Sequence, residues 1–311
     1  MTSTVPTTTR RRRRHDPVAA DGAVQPAAPS TIDLHTHSTR SDGVLEPAEL
    51  VQAAWDAGVR TLSLTDHDTL AGYRDVVGRG TVPPGMTLLP GVEINALVDR
   101  DLGLWEGELH ILGFGMDPDD DAFEGAMDAQ RQQRRLRFTR TVDRLREIGL
   151  PIDAQVAALT PGADDALGRP TIARALIAAG FATSVEDAFT RLIGHGMPGY
   201  VPRLGLGPAD AIATIRDAGG VAVLAHFREA PERPDILAEL IAAGLAGLEV
   251  HYRTFDAATV QAVGSVAHDH GLLATGGTDY HGDLGPYAQS HAQLFVPPEV
   301  GLALMERLTR G

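Results

Sequence analysis

Six histidines stand where they could do chemistry together: His35 and His37 in IDLHTHS, His67 in LTDHDT, His110 in ELHILGFG, His226 in AVLAHF and His281 in TDYHGD. Asp42, Glu93 and Asp279 accompany them. Nearly all fall at or just past the C-terminal end of a short apolar run that reads as a strand. Parallel-barrel enzymes carry their chemistry on that face. Imidazoles and carboxylates gathered there, in a chain without cysteine, predict a multinuclear metal site with N and O ligands.

The spacing supports this residue by residue. His35 and His37 are two apart on a strand, so both side chains point to one face. His67 lies between Asp66 and Asp68, an imidazole with carboxylates at hand to orient it. Glu93 ends the apolar run MTLLPGVE, where a carboxylate must be paired, exposed or metal-bound. His110 alternates within an apolar strand and, taken alone, reads equally as a core histidine. His226 directly follows VAVLA. Asp279 and His281 alternate in a loop bracketed by glycines. Mixed imidazole and carboxylate ligands suit Mn²⁺, Fe²⁺ or Zn²⁺. Such a cluster can acidify a shared water and clamp a phosphoryl oxygen, which favours hydrolysis over redox chemistry.

Those residues need strands to position them. TIDLHTH, TLSLTDH, MTLLPGVEI, ELHILGFG, GVAVLAHF, LAGLEVHY and LLATGGTDY read as strands. Helical spacing at 46–57, 208–218, 234–243 and 257–270 alternates with them, which predicts a parallel α/β sheet or barrel. Residues 116–200 break the rhythm. A long charged amphipathic helix over 119–148 and two shorter ones, RPTIARALIAAG and SVEDAFTRLIG, predict an all-helical insertion. Residues 1–30 are Thr, Pro and Ala rich with Arg10 to Arg14, and read as a disordered arm. Setting both aside leaves 31–115 and 201–311. At roughly 30 residues per β/α unit, that is nearer seven units than eight.

The 311 residues are 43% hydrophobic and 22% charged, ordinary for a soluble globular chain. No apolar run approaches the roughly 18 residues of a membrane span, and a cytoplasmic protein is expected. All 27 Lys+Arg side chains are arginine. A phosphate grip must therefore use guanidinium forks, peptide N–H groups or metal ions. Net charge is −14 although the first 30 residues carry +3, so the remainder stands at −17. A body that acidic is a poor surface for long nucleic acid.

In order, HTHSTRSDG, TDHDT, GVE, ELHILG, GGVAVLAH, LEVHY and GGTDYHG resemble the PHP (polymerase and histidinol phosphatase) family over about residues 31–283. The resemblance is strongest to stand-alone phosphoesterases with a helical insertion, including AMP and nucleoside 3′,5′-bisphosphate phosphatases. It implies a distorted (β/α)7, TIM-barrel-like fold with a helical cap and three divalent ions, Mn²⁺ first, with Fe²⁺ or Zn²⁺ as alternatives. By motif, His35, His37, Glu93 and Asp279 would hold one ion. Glu93 would bridge to a second held by His110 and His226. Asp42, His67 and His281 would hold the third. The cap would offer arginines to the substrate phosphate, Arg134 and Arg169 first and Arg137 in reserve.

The expected reaction is hydrolysis of a phosphate monoester on a small nucleotide by a hydroxide shared between ions, with Glu93, His226 and His251 as catalytic residues. The alternatives are a 5′→3′ exonuclease on short 5′-phosphorylated oligonucleotides, a histidinol-phosphatase-like activity, and a non-catalytic PHP binding module. No membrane or long nucleic acid is expected as a partner. Three departures from the family pattern bear on substrate. GHGMPGYVP lacks a lysine, which His195 could replace. AHF puts Phe227 beside His226. HYR puts His251 and Arg253 near the site.

Overall fold

The structure is a computed structural model that describes residues 30–98, 108–159, 168–202 and 204–310. The arm expected over 1–30 lies, except for Ser30, outside the described residues. Seven strands form one sheet in chain order: β1 (Ile32–Asp33), β2 (Thr61–Leu64), β3 (Thr87–Leu97), β4 (Glu108–Phe114), β5 (Val221–Leu224), β6 (Gly247–Tyr252) and β7 (Leu273–Gly277). The exit of β1 meets the exit of β7 through Leu34 N to Gly276 O, 3.1 Å, and His37 N to Tyr280 O, 3.0 Å. Gly277 permits that approach, because a Cβ there would overlap the backbone of His35. The result is a distorted seven-stranded α/β barrel.

The expected all-parallel sheet is corrected at β4, which runs antiparallel to both β3 and β5. Only ten residues separate Leu97 from Glu108. That is too few for a parallel crossover, so the two strands pair antiparallel. The reversal carries function. His110, near the start of β4, lies opposite Asn95, near the end of β3. It therefore reaches the same rim as the exits of the parallel strands.

Strand alternation sorts the side chains. Leu112 and Phe114 of β4, Val221 and Val223 of β5 and Leu304 of helix α11 (Pro298–Arg310, which follows the short α10, Tyr287–His291) fill one buried cluster. On β3 the same face passes from Leu89 in that cluster to Glu93 and Asn95 above it. Outside the sheet, Ile94, Ile111, Ala222 and Leu224 pack on α7 (Pro208–Asp217), α8 (Pro234–Ala243) and α9 (Ala257–Asp269). On the other flank, α1 (Pro47–Asp56) and α2 (Ala71–Gly78) cover Leu62 and Leu64 of β2.

Helix α3 (Asp121–Glu147) opens on Asp120, whose carboxylate accepts from Phe123 N at 2.7 Å. Its 27 residues span about 40 Å. The first half buries Phe123 and Met127 against the barrel. The second half gives Phe138, Val142 and Leu145 to a separate core with Ile152, Ile172, Leu176 and Leu192. That core is made by α4 (Asp153–Leu159), α5 (Arg169–Ala178) and α6 (Val185–Ala188), which runs on as a π-helical turn, Phe189–Ile193. Helix α4 is an addition to the two short helices expected there. Among the described residues no helix is long and apolar enough to cross a membrane.

Candidate metal centre

The strand exits bring all nine candidate ligands together in three groups. His35, His37, Glu93 and Asp279 form the first, Glu93, His110 and His226 the second, and His37, Asp42, His67 and His281 the third, with ligand atoms within 4.8 Å of one another in each. Glu93 Oε2 faces the first group, 3.4 Å from His35 Nε2 and 3.1 Å from His37 Nε2. Its Oε1 faces the second, 2.8 Å from His110 Nδ1 and 3.3 Å from His226 Nε2. A carboxylate shared between two ions needs this division of oxygens. His37 belongs to the third group as well as the first, a sharing that the motif assignment lacked.

Local backbone makes the convergence possible. Among the described residues, the non-glycine positions with positive φ are Asp68 at 55°, His226 at 31° and Asp279 at 48°. All three lie at strand exits in this site, where strain of this kind accompanies function. Each is held by its own N–H: Asp68 to Glu93 O at 3.0 Å, His226 to Glu249 Oε2 at 2.8 Å, and Asp279 to His35 O at 2.7 Å. Asp42 arrives on a turn closed by Gly43, where a Cβ would overlap the carbonyl of His37. Asp66 fastens that turn by accepting from Ser38 N, Ser38 Oγ and Ser41 Oγ, each at 2.7 Å.

The donor set fits divalent cations. His35 Nε2, His37 Nε2, His67 Nδ1 and Asp42 Oδ1 are buried without a hydrogen-bond partner, and they converge on carboxylates. Buried polar atoms are normally paired, and a cation would satisfy these. The electrostatics agree. Burial opposes charge on Glu93 and Asp279, yet the surrounding imidazoles hold both carboxyls well below their usual range. Burial likewise opposes an imidazolium at His35, and Glu249, Asp279 and Glu93 outweigh it. At His281 burial is overcome by Asp279 and Asp42, which lift it to about 10. His67 goes the other way: burial, aided by His37 and Arg134, pushes it down to about 3. A cation entering here would compete with protons for these raised imidazoles.

A cavity of about 220 Å³ connects this rim to the helices above it. Arg134, Arg137, Arg169, Phe138, Ile172 and Phe189 line the far side. The arginines are engaged. An Arg134 Nη donates to Asp68 Oδ2 at 2.6 Å. Arg137 and Arg169 share Glu108 Oε1, at 3.1 and 3.2 Å. The Arg169 guanidinium also lies 5.3 Å from the centre of the Phe189 ring.

The PHP domain profile matches residues 33–136. Over 280 residues, 86% of this chain and 90% of the relative, the sequence is 32% identical to the 5′-3′ exoribonuclease Rnm of Salmonella typhimurium. The chain belongs to the PHP family. The 3′,5′-nucleoside bisphosphate phosphatase of Chromobacterium violaceum is 31% identical over 267 residues, 81% of this chain and 87% of its own length. A solved structure from Bifidobacterium adolescentis, described as a metal-dependent phosphoesterase, superposes with a TM-score of 0.74 at 31% identity, covering 90% of this chain and 98% of that one. This PHP chain is a metal-dependent phosphoesterase, a hydrolase.

Within the PHP site some expected residues fall elsewhere. His251 does not line the cavity; burial lowers its pKa, the charge it feels is Glu299 of α11, and it packs on Gly276. The reason is a bulge in β6, where Glu249 pairs with Thr275 and His251 with Gly276, leaving Val250 as the extra residue. The bulge shifts the alternation by one, so Tyr252 faces the centre and gives its hydroxyl to Asp279 Oδ2 at 2.8 Å. Arg253 pairs with Asp283 through both Nη atoms at 2.9 Å. Phe227 is buried in the outer core and His195 is exposed beside Tyr200; neither lines the cavity.

Sequence reasoning missed Asp33, Glu249 and Tyr252. Asp33 accepts from Thr278 N, Thr278 Oγ1 and Tyr287 OH at 2.9, 2.7 and 2.7 Å, tying β1 to the segment that carries Asp279. Asp33 and Glu249 had a signal: each is a lone carboxylate in an apolar strand, and a buried carboxylate requires partners. Tyr252 had none, because nothing local announces the bulge.

Proposed function

We propose that this PHP phosphoesterase hydrolyses the phosphate monoester of a small nucleotide, of the AMP or nucleoside 3′,5′-bisphosphate type. One observation carries the reading: a single cavity joins the three ligand groups to arginines and to an apolar wall of Phe138, Ile172 and Phe189. A nucleotide has matching parts, a phosphate for the polar side and a base for the apolar one.

The three groups would hold three divalent ions, Mn²⁺ first. Such ions supply an acidified water and neutralise charge on the phosphoryl oxygens. Glu93 holds the first two groups in register through its two oxygens. His226 presents Nε2 to that shared carboxylate from a backbone fixed by Glu249. Arg134 and Arg169 bind and orient the substrate phosphate, each exchanging part of its bond to Asp68 or Glu108 for the new anion. The helices over 116–200 serve as a cap that separates the reacting phosphate from bulk water.

The exoribonuclease relative favours a second reading, release of mononucleotides from short 5′-phosphorylated RNA, since it matches the chain as well as the phosphatase does. The −17 charge of the body weighs against long RNA. The deciding experiment compares kcat/KM for AMP, a nucleoside 3′,5′-bisphosphate and a short 5′-phosphorylated RNA, with and without Mn²⁺. The proposal expects Mn²⁺-dependent phosphate release from a mononucleotide to be the fastest. Faster mononucleotide release from RNA would replace it with the second reading.

A further inference from the structure

Six of the seven strands deliver a candidate ligand at their rim, and β6 alone delivers none. Its bulge nevertheless turns two side chains inward, Glu249 before the extra residue and Tyr252 after it. Both end on ligands. Glu249 is fully buried; its Oε1 lies 3.0 Å from His35 Nδ1 and its Oε2 accepts from His226 N at 2.8 Å. Tyr252 donates to Asp279 Oδ2 at 2.8 Å, and its ring lies 5.3 Å from that of His226.

We propose that β6 is a support strand, in which Glu249 and Tyr252 act as positioning residues that preset the first two ligand groups together. The inference rests on reading those groups as metal sites.

The chemistry is specific at each contact. A carboxylate only accepts, so Glu249 keeps a proton on His35 Nδ1 and turns Nε2 toward Glu93 and Asp279, where a cation would take its lone pair in place of a proton. The same carboxylate holds the backbone of His226 at φ 31°, which an L residue rarely adopts unaided. One buried group thus fixes a ligand of the first group through its ring and a ligand of the second through its backbone. Tyr252 occupies Oδ2 of Asp279, leaving Oδ1 to face His35 and His37 at 3.3 and 3.2 Å. Asp279 would therefore have one free oxygen, Oδ1, to offer a cation. Without the bulge, His251 would take the inward place and Asp279 would lose this partner.

Two substitutions test the device, with Mn²⁺ alone as the probe, titrated into metal-free protein by calorimetry and by the signal of free Mn²⁺. In Glu249→Gln one carboxylate oxygen becomes an amide donor facing another donor. Affinity should fall about 10- to 100-fold in two classes of site at once. In Tyr252→Phe only the hold on Asp279 is lost, and one class should weaken by about 10-fold. Melting of the metal-free Tyr252→Phe protein should fall by a few degrees at most, the loss of one buried hydrogen bond. Saturating Mn²⁺ should restore its turnover with the substrate KM unaltered. Wild-type Mn²⁺ affinity in either folded variant overturns the proposal. So does weakening of a single class by Glu249→Gln, or a turnover defect in Tyr252→Phe at full metal occupancy. If Glu249→Gln fails to fold, Tyr252→Phe decides alone. Failure of the metal reading itself is distinguishable, because the unaltered protein would then bind no Mn²⁺.

Discussion

The two sides of the cavity are built on opposite terms. On the barrel rim, buried ligand atoms of His35, His37, His67 and Asp42 point at one another without hydrogen-bond partners. On the helical side, Arg134, Arg137 and Arg169 are already paired with Asp68 and Glu108. The rim is incomplete without cations, and its geometry is set by strand exits that cannot move independently. The helical side is electrostatically satisfied as it stands, and its arginines would have to trade partners to hold an anion. The rim is thus arranged for cations, whereas an anion entering from the helical side would meet ion pairs that it must exchange with.

The strongest way to break this contrast is at the shared carboxylate. Glu93→Gln should lower turnover on the order of 1000-fold, because several kcal/mol of metal-derived charge stabilisation are lost. Metal content should fall by more than one ion, since Glu93 belongs to two groups. Full content by elemental analysis together with full turnover would sink the bridging role.

Proton–metal competition at the rim comes next. The folded pKa of His281, about 10, lies above its unfolded value near 6.5, and that of His35 is raised in the same sense. Their stabilisation is fully present below about pH 6.5 and is lost as pH rises through the folded value. Metal-free protein should thus melt lower at pH 9.5 than at pH 6.5. Mn²⁺ at about 100 times its Kd should restore about 2.7 kcal/mol per site. A metal-free melting temperature that rises over this range would contradict the protonated rim.

The helical side of the cavity should respond more mildly. Arg169→Ala is expected to reduce kcat/KM for nucleotides about 10- to 100-fold while sparing a small aryl phosphate. Stability should fall by about 1 kcal/mol, because Glu108 keeps Arg137 but loses a charge-assisted partner. Equal losses on both substrates would assign Arg169 to the metal rim or the fold. The smallest effect belongs to His251→Ala, where turnover should stay within about twofold. A large kinetic defect there would return His251 to the catalytic group.

Most of the nine candidate ligands were legible because they sit after or within an apolar run, where a polar side chain is out of place; Asp42, on an SDG turn, is the exception. Glu249 was equally out of place and could have been found by the same test. The direction of β4 follows from counting the ten residues before it. His251 was placed near the site by its position in the family pattern alone, and the bulge in β6 turns it away from the cavity.

Residue types and their places along the strands thus determine the chemistry by themselves: N and O ligands, no thiolate, no lysine, an α/β barrel to carry them. That information is local, since strand period and ligand preference act within a few residues. Only the tertiary structure decides that His37 serves two groups, that Tyr252 replaces His251, and that Arg134 is already held by Asp68, 66 residues away. Those outcomes depend on backbone register and on contacts between distant segments, where one extra residue in a strand changes which side chain reaches the site.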